Sequence, residues 1–542
     1  MRHLSRLASS LLLFVFICLP DAQAGVKMPP IFGDHMVLQQ DIKIPVWGSA
    51  DAGEAITITL GDKTGKTTAD ATGKWRVDLD PVKTASDPLT LTVTGKNSLK
   101  FTDVLVGDVW VCSGQSNMAF PLESHTSFGG AANQATAVPA ANDPQLRFFK
   151  SPGLKAGGSC WEVCTPETAG RFSAVGYFFG QRLRQDINRP IGLISASVGG
   201  TPAQMWLSLS ALQKDPPFTN YIDAYQKAVA FQADQKESSE AAAYKEAVKQ
   251  WQEAVKQAQA SGQPAPPKPV PPSPAYVLNP VKYMPTRLFD SLIAPLIPYA
   301  IKGVIWYQGE SNGNKGLEYR TLFPRLISDW REKWNQGDFP FLFVQLANFK
   351  APQTKPSEGD WAYLREAQLM TLALPNTGMA VAIDIGDAKT IHPKDKLDVG
   401  LRLALAARHV AYGQDLVYSG PIYDSMKIEG NKIRLTFKDT GSGLQMSTPP
   451  FTPTGVPALA STELTGFAIA GADKNFVWAQ AQIDGNSVLV STDQVASPVA
   501  VRYGWANNPP CNLYNKEGLP ASPFRTDDWP EEQQASAKHS KP

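Results

Sequence analysis

Group transfer near neutral pH draws on imidazole, because its proton affinity lies close to ambient pH. The chain holds six histidines: His3, His35, His125, His392, His409 and His539. His3 lies in an apolar leader, His539 in a polar tail, His35 in a leading β region, and His409 follows the helical run Leu403 to Arg408. His125 and His392 are left near strand-end loops, and His392 is the better placed. Met379 to Asp387 reads as a strand running into a loop. His392-Pro393 then opens a helix that runs to Gly413, since proline suits the first helical turn and glycine the end. Asp384 and Asp387 share the loop, so either carboxylate could orient the imidazole and stabilise its charged form.

A base needs a nucleophile. Val109 to Cys112 reads as a buried strand, and Ser113-Gly114-Gln115-Ser116-Asn117-Met118 follows at once, placing Ser116 on a tight turn. A serine hydroxyl is a weak nucleophile until a base takes its proton, which His392 could do. A lone Gly-x-Ser is weak evidence, because both residues crowd ordinary turns. Two further strand-end loops add donors for an oxyanion. Ile191 to Ala196 ends in Ser197-Val198-Gly199-Gly200-Thr201, and Gly303 to Tyr307 ends in Gln308-Gly309-Glu310-Ser311-Asn312. Four such loops at strand ends outweigh any one of them.

The elements that must position these groups follow an alternation. Apolar strands at Val104 to Cys112, Ile191 to Ala196, Gly303 to Tyr307, Phe341 to Gln345 and Met379 to Ile385 alternate with helices such as Val175 to Gln185 and Tyr319 to Trp334. This predicts an α/β domain with a parallel sheet covered on both faces, whose sites lie outside the carboxyl ends of the strands. Short alternating runs from Gly25 to Asp103 (Ile42 to Trp47, Ala55 to Leu60, Lys74 to Leu79, Leu89 to Val93) predict a sandwich-like β domain. A second β region follows Gly413 and extends to residue 530, with a polar tail over 531–542. Residues 218–276 interrupt the core, dividing it into 104–217 and 277–413. In this insertion Tyr244, Val248, Trp251 and Val255 form one apolar stripe, and a Pro-rich run predicts a stiff extended return. A spacer or packing arm is favoured over a lid for it.

At 542 residues the chain is long enough for three or four domains of roughly 150 residues each. Lys plus Arg number 51 against 50 for Asp plus Glu, so nothing in the charge asks for nucleic acid or an anionic membrane as partner. A hydrophobic share of 43% excludes disorder for most of the length. Arg2 and Arg6, the apolar run Leu11 to Leu19 and Ala22-Gln23-Ala24 follow the order of a secretory signal, cleaved after Ala24. The run falls short of the roughly 20 residues that span a bilayer, so a secreted or periplasmic protein is expected. Cys160 and Cys164 could close a short loop there, whereas Cys112 reads as a buried thiol and zinc lacks nearby histidine. Oligomeric state has no signature in the sequence.

Gly114-Gln115-Ser116-Asn117-Met118, Gly199-Gly200-Thr201, Trp306 to Asn312 and Ile391-His392-Pro393 together resemble the sialate O-acetylesterase family of SGNH hydrolases. Met36 to Gln39, Val46-Trp47-Gly48 and Asn512 to Asp527 resemble its leading and closing segments, so the likeness spans nearly the whole mature chain except the insertion. The resemblance implies a flavodoxin-like sheet core, flanked by β-sandwich-like regions, that removes acetyl groups from sugar hydroxyls with no cofactor or metal. It also implies roles. Ser116 would be nucleophile, His392 general base and then acid, and the Ser116 N–H with Gly200 and Asn312 the oxyanion hole, with Gln308 the alternative donor. These enzymes usually carry Asp three residues before the histidine, where this chain has Lys389. Asp387 and then Asp384 are therefore candidates for the acid, beside a Ser–His dyad supported by a backbone carbonyl. Glu310 is weighed as a triad or substrate-binding carboxylate against a structural ion pair or loop hydrogen bond, the second being favoured. Trp206 could floor a sugar site or simply be core. The substrate is an acetylated saccharide, either sialic acid or a plant polysaccharide such as xylan, xyloglucan or pectin. The rival from another class is an inactive carbohydrate-binding protein.

Overall fold

The computed structural model describes residues 25–124, 129–151, 160–237, 239–261, 263, 265–269, 283–356, 358–447 and 463–529. The expected leader, His125 and the tail lie outside them. Seven strands build the core sheet: β1 (Ser98–Gly114), β2 (Asp143–Lys150), β3 (Trp161–Cys164), β4 (Ile191–Ser197), β5 (Gly303–Tyr307), β6 (Phe341–Gln345) and β7 (Thr377–Val381). Their order is β7-β6-β5-β1-β4-β2-β3, parallel throughout except for the β2–β3 pair. The fully buried runs of β5 and β6 are what a sheet covered on both faces requires.

The helices used below are α1 (Ser116–Ala119), α2 (Ala174–Ile187), α3 (Thr219–Glu237), α4 (Ser239–Ala260), α5 (Gly316–Trp334), α6 (Asp360–Met370) and α7 (Leu397–Val410). α2 packs against α7 and α5 against α6. α2 begins where the Ser173 hydroxyl accepts from Gly176 N–H, and ends at Asn188 in the left-handed conformation, φ +52°. Trp306 on β5 meets Trp206 and Trp330 edge to face, at 5.6 and 5.8 Å, which locks α5 onto the sheet.

Three expectations are refined. β1 runs unbroken across the expected boundary at 103/104: its first half pairs with Ala85–Thr94 and Val37–Gln39, its second half is the central strand of the core. A local change of texture at 103 therefore marks a change of neighbours, not the start of a strand. The helix expected from Pro393 begins at Leu397 instead, because Lys396 N–H turns back to Lys394 O and holds residues 393–396 as a loop. Cys160 and Cys164 are free thiols; Cys112 is buried, and burial pushes the Cys164 thiol up to about 12.

The leading β region pairs Ile44–Ser49 with Lys74–Leu79 and Ala55–Leu60 with Lys63–Thr68 and with Ala85–Thr94. In the closing region two four-stranded antiparallel sheets meet at Phe524, whose ring lies 4.6 Å from Tyr423 and 5.8 Å from Tyr503. Trp251 of the insertion donates to Pro266 O at 2.8 Å, so the Pro-rich return folds back along α4. Tyr221 in α3 bonds the Glu318 carboxylate and takes a 2.9 Å bond from Lys315, anchoring the insertion at the start of α5. Among the described residues no helix is long and apolar enough to cross a membrane.

Candidate active site

The chain crosses from one side of β1 to the other between β4 and β5, so the crevice that such a reversal opens lies at the carboxyl end of β1. Register makes the convergence tight: Gly114, the last residue of β1, is paired with Ser197 on one side and Tyr307 on the other. Gly114 has φ +131°, and a Cβ there would lie 2.2 Å from Tyr307 O, so only glycine lets the chain turn at this point. Gln115 fixes the next step. Its N–H donates to Tyr307 O at 2.9 Å, and its Oε1 accepts from Ser311 N–H at 3.2 Å. The Ser173 hydroxyl donates to Met118 O, tying the other end of α1 to the cap of α2.

Ser116 is thereby held at the start of α1, with its Oγ 2.8 Å from His392 Nε2. The two residues are 276 positions apart and come from the loops after β1 and β7. His392 is half-buried; burial, then the nearby Lys396 charge, lowers its pKa below the ordinary histidine value. The imidazole is therefore biased toward its neutral, proton-accepting form.

The other expected residues separate into those at the pair and those directed elsewhere. Gly200 is exposed in the left-handed region, φ +69°, with open space where a Cβ would be, and Gly199 approaches Ser116 Cβ. Asn312 is buried. Its Oδ1 accepts from Ala203 N–H and from Gln308, which fixes the amide orientation, and its Nδ2 donates to Gln204 Oε1 at 3.2 Å. Gln308 is corrected as an oxyanion donor: its Nε2 is spent on Thr201 O and Asn312 Oδ1, and its Oε1 accepts from Tyr319. Trp206 is corrected as a sugar platform. It is 0% exposed and donates to Thr201 Oγ1, so its faces belong to the core.

The carboxylates divide likewise. Asp384 takes the two arms of the Arg402 guanidinium at 2.7 Å each, and Tyr514 donates to the same carboxylate at 3.1 Å. This corrects its candidacy as the acid orienting His392, because a bidentate Arg claims the carboxylate. Asp387 is half-buried, and its Oδ1 accepts from Lys389 N–H at 2.7 Å, a bond within its own turn. Glu310 takes the loop hydrogen bond favoured for it, from Asn117 Nδ2, and burial raises its pKa.

Two residues of this region carried no separate expectation. Asn117 lay inside the serine motif but offered no chemistry of its own. Lys396 stands in Lys394-Asp395-Lys396, which reads as a solvated charge run; its burial depends on the loop that replaces the expected first turn of helix. Among the described residues no group of three or more His, Cys, Asp or Glu side chains gathers as a metal site would.

Fold and site define the class: an SGNH-type α/β hydrolase with β domains on either side of its core. Residues 106–263 and 284–409 match the family described as carbohydrate esterase, sialic acid-specific acetylesterase. The chain is 39% identical to a carbohydrate acetylesterase from Xanthomonas citri of known crystal structure, with a TM-score of 0.74 over 93% of this chain and 100% of that one. It is 29% identical over 555 residues to the sialate O-acetylesterase of Mus musculus, covering 93% of this chain and 94% of the mouse protein. The Homo sapiens sialate O-acetylesterase is 28% identical over 575 residues, covering 95% and 96%. The chain belongs to the sialic acid-specific acetylesterase family of carbohydrate esterases, and it is a carboxylic ester hydrolase with carbohydrate O-acetylesterase activity.

Proposed function

We propose that the enzyme cleaves O-acetyl esters of sugar hydroxyls through an acetyl-serine intermediate, with sialate O-acetyl esters as the first substrate to test. The observation that carries this reading is the 2.8 Å contact between Ser116 Oγ and His392 Nε2. Ser116 Oγ forms a bond to the acetyl carbonyl carbon as its proton passes to His392 Nε2. The tetrahedral oxyanion is met by the N–H groups of Ser116 and Gly200 and by the Asn312 amide. Collapse breaks the bond to the sugar oxygen, which leaves with the proton from His392. Water then repeats the attack, His392 again accepting and returning the proton, and acetate departs from Ser116. Asp387 is the first candidate for the acid of the triad, as Asp384 on the same loop is paired with Arg402 and Asp387 is not.

The sialate substrate is supported by family membership and by likeness to mammalian sialate O-acetylesterases over nearly their full length. The more similar Xanthomonas citri protein is described only as a carbohydrate acetylesterase, which supports testing acetylated plant polysaccharides alongside. Residues 1–24 support export to a secreted or periplasmic location. Ser116→Ala should lose at least about 10³-fold of the rate on p-nitrophenyl acetate while keeping the wild-type fold; ordinary activity in that variant would overturn the nucleophile assignment. Acetate release from a panel of O-acetylated sialosides, xylan, xyloglucan and pectin identifies the substrate, and a rate confined to the plant polymers would overturn the sialate assignment.

A further inference from the structure

Behind the Ser116–His392 pair lies a buried polar cluster that the acyl-transfer scheme leaves without a task. Asn117, next to the nucleophile, is its hub. Its Nδ2 donates to the Glu310 carboxylate and, at 2.9 Å, to Ile391 O, while its Oδ1 accepts from Lys396 Nζ at 2.7 Å. These contacts reach three segments: the loop after β5, the residue immediately before His392, and the residue that precedes α7. Lys396 is 0% exposed, and its ammonium lies over the rings of Phe120 and Tyr307, 4.7 and 5.5 Å from their centroids. A buried ammonium destabilises a fold unless its charge and its N–H groups are matched. Here one amide oxygen, two aromatic faces and the nearby carboxylates of Glu310 and Asp395 share that role.

We propose that Lys396 is a positioning residue for the acyl-transfer pair: by holding Asn117 Oδ1 it aims both Asn117 N–H bonds, locks the Ser116 turn to the His392 loop, and fixes the contact between serine and imidazole. This rests on the Ser–His reading above. The logic is that of amide orientation. An asparagine side chain can be turned end for end; the acceptors facing Nδ2 and a donor facing Oδ1 together make the present orientation the favoured one. Lys396 supplies that donor, and Ile391 O, one residue from His392, receives the result. A lapse here moves the imidazole relative to the hydroxyl without touching either.

The charge has its own effect. Lys396 disfavours a second positive charge on His392, and burial pushes Lys396 itself down to about 7 while Glu310 and Asp395 pull the other way. The charged and titratable groups around the cluster are Glu310 and Tyr307 from the strand and loop of β5, Asp395 on the His392 loop, and Arg365 of α6 beyond Tyr307.

The test compares wild type, Ser116→Ala, Lys396→Met and Lys396→Gln on p-nitrophenyl acetate across pH. Lys396→Met should fold and lose about 10- to 100-fold in kcat with KM held within about threefold, since alignment and not ester binding is lost. Lys396→Gln returns an N–H donor to Asn117 without charge, and should recover at least about threefold of that kcat. Both variants should show the acid limb of the pH profile moved upward, because the Lys396 repulsion that adds to burial in keeping His392 neutral is gone. A folded Lys396→Met with kcat within about twofold of wild type, a loss confined to KM, or an unmoved acid limb overturns the proposal. Should Lys396→Met fail to fold, Lys396→Gln decides by the same acid limb. Activity persisting in Ser116→Ala would instead overturn the Ser–His reading; an inactive Ser116→Ala beside an unaltered Lys396→Met would overturn only the role of Lys396.

Discussion

Replacing Asp384 by Asn separates two readings of the carboxylate that the loop after β7 offers first. In the structure its side chain is 1% exposed against an Arg402 side chain of 7%, with two 2.7 Å bonds between them. Arg402 also donates to Val381 O, which ties α7 to the end of β7. Asp384→Asn preserves shape but leaves a guanidinium buried without its counter-charge. Breaking a buried pair in this way costs about 3–5 kcal/mol. The Val381 carbonyl, the Asn oxygen and the Tyr514 hydroxyl still face the guanidinium, so the lower end, about 3 kcal/mol, applies. At about 2 °C per kcal/mol for a unit of this size, the thermal midpoint should fall by about 6 °C. The turnover of folded enzyme on p-nitrophenyl acetate at 25 °C should stay within about threefold of wild type, because Asp384 is held by Arg402. Were Asp384 the acid that orients the His392 imidazole, its loss would cost about four orders of magnitude in kcat. Melting followed by circular dichroism and initial rates on one preparation decide between these. A kcat reduced a thousandfold with an unmoved midpoint would refute the ion-pair assignment.

The remaining expectations follow from the same geometry. Because burial and Lys396 lower the His392 pKa, its neutral form persists beneath the ordinary histidine value of about 6.5, so kcat/KM should decline only as pH drops below that point; an acid limb centred above 6.5 would contradict the shift. Trp206→Phe should destabilise the fold by about 1–3 kcal/mol through lost packing and the lost bond to Thr201, yet leave KM for acetylated saccharide within about twofold; a tenfold rise in KM would restore the sugar-platform reading. Deleting residues 222–274 should leave the rate on p-nitrophenyl acetate within about threefold, since Trp251 donates to Pro266 O inside the insertion itself. A large loss on polymeric acetylated substrates alone would make the segment a lid.

What the sequence disclosed was the set of loops, because strand-then-turn signals are local. Val109 to Cys112 followed by Gly114 and Ser116, or Gly303 to Tyr307 followed by Gln308, can be read from a dozen residues each. Their convergence on one crevice follows from strand order in parallel sheets. What stayed hidden was which polar group answers which. Gln308, Asn312 and Asn117 are all amides on site loops, yet Gln308 is consumed by Thr201, Asn312 and Tyr319, while Asn117 becomes the hub through partners far away in the chain. Asp384 shows the same limit: its partner Arg402 sits one helix later, and charge spacing alone does not separate an ion pair from a triad member. Trp206 reads as core more readily than as platform, and its burial against Trp306, with Trp330 donating to its carbonyl, decides for core.

The loop after β6 explains why the closing β region accompanies the core. Asn348 Oδ1 accepts from Gly386 N–H at 2.6 Å, and Phe349 pairs with Asp387 as a parallel bridge, so this loop braces the very turn that leads to His392. From its other side Asn348 donates to Asn508 Oδ1 at 2.7 Å, and Asn508 returns a bond to Lys350 O. Arg365 of α6 donates to Leu346 O and Ala347 O in the core and to Ala506 O and Asn507 O in the closing region. That guanidinium is completely buried, and burial lowers its pKa to about 9. A buried cation satisfied by carbonyls from both units holds them in one relation only. The His392 loop is thus set on one side by Asn117 and Lys396, and on the other by a chain of amides anchored in the C-terminal sheets. A truncation ending before residue 414 would remove the second support while leaving Ser116 and His392 in the sequence.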